Sequence, residues 1–180
     1  MTKISKTFYN EKKDKLIDII IFGSFVKNKP DFKDIDISLI TKSGIEESAK
    51  LSLKFEKLLT SKYHVVYHII DDLFSKEEPI WLSMLHEGYS LIRCKKISTS
   101  LGLAAKVLFT YKSSVLKYND QIRFYYALKG RDGKGGIVKD TAAEQVSKGV
   151  LIANIEEENE LVTFFMNWNM PFTKKRIFIN

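Results

Sequence analysis

Two short segments contain residue types that could do chemistry together. The first is Ile21-Phe22-Gly23-Ser24; after nine intervening residues comes Asp34-Ile35-Asp36-Ile37. Gly23 has no Cβ, so the backbone there can approach a phosphate closely, and Ser24 adds a hydroxyl and an amide. Two carboxylates two residues apart on a strand project from one face. They repel unless a cation sits between them, and Mg²⁺, held by one or two carboxylates plus substrate phosphates, suits that place. The spacing points to Asp34 and Asp36 as metal ligands and to Gly23 and Ser24 as nucleotide-phosphate binders. The chemistry implied is phosphoryl-group displacement assisted by metal.

Those residues need a scaffold. The Ile-rich run Leu16–Phe22 has the length and β-branched content of a buried strand. Ile35, Ile37 and Leu39 alternate with Asp36 and Ser38, which predicts a half-buried strand showing an acidic face to a cleft. A polar helix over Lys3–Lys15 precedes the first strand. Ser43-Gly44 open a second helix with Glu46 and Glu47 in its first turn. His64–Ile70 reads as a third strand, Leu73–Glu87 as a helix stopped by Gly88, and Tyr89–Arg93 as a short edge strand. Beyond Lys96 the texture changes. Leu101–Tyr118 has helical spacing, Tyr118–Leu128 is aromatic-rich with its state open, and Gly149–Ile155, Glu156–Trp168 and Phe172–Ile179 read as strand, helix and strand. The expected architecture is α+β: an α/β-like domain with a mixed sheet over residues 1–95, then a small basic α+β domain over residues 96–180. Trp81, Phe164, Phe165 and Trp168 fall in helical patterns and are expected in cores.

Strand, Gly-Ser, loop and Asp-x-Asp in that order resemble the nucleotidyltransferase superfamily typified by DNA polymerase β, in particular its minimal nucleotidyltransferase domains. The likeness covers about residues 15–93 and includes Glu87-Gly88-Tyr89-Ser90-Leu91, similar to the closing EG-x-x-L of those domains. The resemblance implies Mg²⁺-dependent transfer of a nucleoside monophosphate from an NTP to a nucleic-acid or protein acceptor. It also implies a third carboxylate on the strand after the second helix. Here Val66 occupies that position, flanked on the same face by His64 and His68. His68 becomes the candidate catalytic base. Asp71 and Asp72 at the strand end read as helix-cap acids or as ligands under another register. The alternative function is a degenerate module that binds nucleotide or nucleic acid without turnover.

The charge is uneven. The whole chain of 180 residues has a formal net charge of +7, and residues 96–139 contain nine basic side chains against Asp120 and Asp132 alone. That segment also contains Phe109, Tyr111, Tyr118, Phe124, Tyr125 and Tyr126. Cations concentrate phosphates and aromatic faces stack on bases, so RNA or DNA is an expected partner, with Lys129, Arg131 and Lys134 of the glycine-rich loop as its contacts. That loop lacks the spacing of a P-loop. The run Tyr126–Arg131 and the later Lys148-Gly149-Val150 also resemble the C-terminal part of uncharacterised archaeal proteins that begin with a nucleotidyltransferase domain.

Composition narrows the rest. With 44% hydrophobic and 28% charged residues the chain is globular. Cys94 is the sole cysteine, which excludes an intramolecular disulfide and a Cys-rich zinc site. No apolar run approaches the roughly 20 residues that span a bilayer. No secretion signal follows Met1–Lys6, so a cytoplasmic protein with no membrane partner is expected. The oligomeric state stays open.

Overall fold

A computed structural model of the chain describes residues 1–23, 35–59, 63–73, 80–131 and 135–180. It divides into two units, Met1–Leu103 and Ala104–Asn180. Lys95–Lys96 adds a strand to the first sheet, and the following turn of helix packs beside it.

The first unit runs α1 (Thr2–Lys12), β1 (Leu16–Phe22), β2 (Ile35–Thr41), α2 (Ile45–Glu56), β3 (Tyr63–Ile69) and α3 (Ile70–Leu73). It continues through α4 (Ile80–Glu87), β4 (Tyr89–Ser90), β5 (Lys95–Lys96) and α5 (Ile97–Ser100). The strands form one sheet in the order β3-β2-β1-β4-β5. Only β2 and β3 are parallel, so the sheet is mixed and the fold class is α+β. β1 is apolar almost throughout because both of its faces are covered. On one side Ile19, Ile21, Ile37 and Leu39 pack with Phe8 of α1 and with Leu51 and Phe55 of α2. The Phe8 and Phe55 rings lie 5.0 Å apart. On the other side Ile20 and Ile40 pack with Leu73 of α3 and Met84 of α4, with Trp81 beside them. Each fully buried Leu, Ile or Phe stabilises the unit by about 1.5–3 kcal/mol.

Two expectations need correction here. Tyr89–Arg93 is not an edge strand: β4 is two residues long and lies between β1 and β5. Among the described residues, the face of β2 that alternation predicts as exposed is open only at Asp36, since Ser38 and Ile40 are buried. Alternation marks which residues share a face. The helices packed on that face decide how much of it meets water.

The second unit runs β6 (Ala104–Tyr111), α6 (Tyr118–Lys129), α7 (Ile137–Asp140), β7 (Glu144–Ser147), β8 (Val150–Asn154), α8 (Glu158–Asn167) and β9 (Phe172–Ile179). Its sheet is antiparallel in the order β7-β8-β6-β9. The segment Leu101–Tyr118, expected as a helix, instead contains the eight-residue strand β6. β6 is hydrogen-bonded on both sides, to β8 and to β9, and it buries Val107 and Phe109 completely. The helical spacing had joined residues from opposite faces with Leu101 and Val115, both more than half exposed. Non-local pairing overrode a local period. Tyr118–Leu128, left open by the sequence, is the helix α6. Phe124, Phe165 and Phe109 form the core, with Phe164, Trp168 and Phe172 against it. Among the described residues no helix is long and apolar enough to cross a membrane.

Glu158, at the start of α8, is buried and accepts hydrogen bonds from Lys174 and Arg176 of β9. Burial pushes its carboxyl upward, but those two cations outweigh it and hold the group below the ordinary 4.5. A carboxyl depressed in the folded state contributes stability that is complete above the unfolded value and is lost as pH falls through the folded one. Glu158→Gln is expected to lower stability by about 1–2 kcal/mol at pH 7, both cations being partly exposed. The difference from wild type should shrink below pH 4 in urea unfolding curves.

Candidate functional site

The site is built at the top of β1 and β2. Antiparallel pairing sets Phe22 opposite Asp36, and the chain leaves β1 through Gly23 with φ +84. That backbone region favours glycine. The position also has no room for a side chain: a Cβ on Gly23 would stand 2.8 Å from Oδ2 of Asp36. The glycine bend and the carboxylate therefore face each other at contact distance. Gly23→Ala is expected to cost about 1–2 kcal/mol for the left-handed backbone alone, read by denaturant unfolding, and to displace the Asp36 carboxylate.

Parallel pairing then adds the third strand. Asp36 is in register with His64, Ser38 with Val66 and Ile40 with His68. His64 Nδ1 lies 3.6 Å from Asp36 Oδ1, with the two side chains 63% and 38% exposed. His68 is four residues farther along β3. It borders a small cavity of about 110 Å³ together with Ile45, Asp72 and Leu73. The histidine at the carboxylate is thus His64, while His68 is level with the buried end of β2. The sequence placed both on one face; only the register told them apart. Asp71 and Asp72 lie in the short helix α3, and Asp72 belongs to the His68 cavity.

Two further polar groups escaped the sequence reading. Ser38, next after Asp36 on the same face, is fully buried, and its hydroxyl has no hydrogen-bond partner among the described residues. Asp18 is buried within β1, where it accepts from the Ser90 hydroxyl and the Ile19 amide, with Arg93 at 3.7 Å. Burial raises its carboxyl above the ordinary range despite those three partners. It ties β1 to the turn after β4, a structural duty hidden by its place inside an isoleucine run.

Ser24 and Asp34 lie outside the described residues, as does Lys134. Among the described residues no three His, Cys, Asp or Glu side chains gather as a metal site. The donors that are described, the Asp36 carboxylate beside a glycine cradle, match the chemistry of Mg²⁺ carried in with phosphate oxygens; imidazole suits softer metals. Lys129 and Arg131 lie at the end of α6. Lys129 Nζ is 5.8 Å from the Tyr125 ring centroid and the Arg131 guanidinium carbon is 5.7 Å from that of Tyr126. Cations and aromatic rings thus meet at one helix end.

No protein-family model matches the chain, and no curated protein does. Among solved structures the chain is similar to a putative nucleotidyltransferase from Sulfolobus solfataricus. The two are 21% identical, the match covers 40% of this chain and 69% of that one, and the TM-score is 0.30.

Proposed function

We propose that the first unit transfers a nucleoside monophosphate from an NTP to a nucleic-acid or protein acceptor. The observation that carries this reading is the apposition of Gly23 and Asp36, which leaves a carboxylate against bare backbone where a triphosphate can lie. In this reading the Gly23 and Ser24 amides and the Ser24 hydroxyl orient the phosphates. Asp34 and Asp36 would hold Mg²⁺, which when bound neutralises charge on the departing pyrophosphate. His64, 3.6 Å from Asp36, is better placed than His68 to accept the proton of an acceptor hydroxyl. Lys129, Arg131 and Lys134 would contact the phosphates of a nucleic-acid acceptor.

The second reading is a binding module without turnover. It is favoured by Val66, which stands in register with Ser38 where the resemblance calls for a carboxylate. One experiment separates the two. The full chain is incubated with each α-labelled NTP, Mg²⁺ or Mn²⁺, and RNA, DNA or protein acceptors, with and without chelator. Chelator-sensitive label on an acceptor supports transfer. Nucleotide binding without label under every metal supports the module.

A further inference from the structure

The second unit contains a cavity of about 540 Å³, within the roughly 300–1,000 Å³ range of small-molecule sites. α6 lines it with Tyr118, Ile122, Tyr125 and Lys129, a stripe at helical spacing, while Gln145 of β7 and Lys148 close the other side. α6 turns Phe124 and Leu128 into the core, yet Tyr118 and Tyr125 stay 76% and 53% exposed. Large aromatic area left open around a hollow is the unusual observation. Among the described residues that line the cavity there is no acid, and its two lysines give it a positive field.

We infer that this cavity binds one nucleotide unit: a nucleobase with its phosphate. The base stacks on tyrosine, and the phosphate meets Lys129 or Lys148. A fatty chain has no use for the lysines, and an indole brings no anion. The site extends the acceptor side of the proposed function, but it does not depend on transfer.

The test uses the full chain and a fluorescein-labelled five-nucleotide RNA, followed by anisotropy. Competitors are the four nucleoside monophosphates, an abasic strand of equal length and inorganic phosphate. Saturable binding is expected, with the abasic strand and phosphate competing at least about tenfold more weakly than base-bearing ligands. Tyr125→Ala should weaken binding by about tenfold, and Lys148→Gln should reduce the salt slope by about one. Binding is read without NTP or metal, so failure of transfer and failure of this site are read separately. Competition by free monophosphates assigns the site to nucleotides; competition by strands alone assigns it to polymer, and either upholds the inference. Abasic strand binding as tightly as RNA overturns it, as does unchanged affinity in a Tyr125→Ala protein whose circular dichroism matches wild type.

Discussion

If the first unit transfers nucleotides as proposed, Asp36→Asn is expected to lower NTP-dependent labelling of acceptor by about 10²-fold or more, some 2.7 kcal/mol of barrier, while leaving the protein folded. The substitution keeps size and shape and removes only the negative charge. That charge is what the Gly23 bend faces, with 2.8 Å between Oδ2 and the place a Cβ would take. Little stability should go with it. The carboxylate pairs with His64 at 3.6 Å, a half-open pair of the kind worth about 0–1 kcal/mol. Thermal unfolding midpoints of the variant and wild type should therefore lie within a few degrees of each other. A folded Asp36→Asn protein that labels acceptor at the wild-type rate would falsify the role given to this residue.

The largest structural effect is expected at Phe165. Its ring is completely buried and lies 5.6 Å from Phe109, 5.1 Å from Tyr111 and 5.1 Å from Phe172, measured between centroids. One side chain of α8 thus joins β6 and β9, with Phe124 of α6 at 6.4 Å. Phe165→Ala removes the ring and leaves a cavity that neighbouring rings fill only in part, at a cost of about 3–5 kcal/mol. A unit of this size has only several kcal/mol to lose. Urea unfolding followed by Trp168 fluorescence in a Trp81→Phe background should show the second unit's midpoint collapse. Because Trp168 packs against the same core, the signal reports the affected unit directly. A midpoint shifted by no more than a Val-to-Ala change would produce would mean that the ring cluster does not bear the unit's stability.

Much of the first unit is legible along the chain because its signals are local. The buried run Leu16–Phe22, the alternation from Ile35 to Leu39 and the acidic first turn of α2 each lie within one element, and each element forms where the pattern puts it. Gly23 and Asp36 are legible as residue types near the ends of their strands, and the antiparallel register of β1 with β2 brings them together. The second unit is less legible. Ala104–Tyr111 contains apolar residues that satisfy a helical period as well as a strand period, and nothing within the segment chooses between them.

The choice is made elsewhere in the chain. β6 is a strand because β8 and β9 satisfy its backbone on both sides, and those partners come tens of residues later. The same holds for the histidines. His64 and His68 are equivalent in sequence, two residues on either side of Val66, and the parallel register with β2 alone sets one beside Asp36. The cavity of the second unit joins α6 to β7, which no local pattern connects. Periodicity determined which residues share a face, because side-chain direction repeats within a few residues. Which faces meet, and in what register, was decided by pairing and packing between distant segments, where no single window of sequence carries the energy difference.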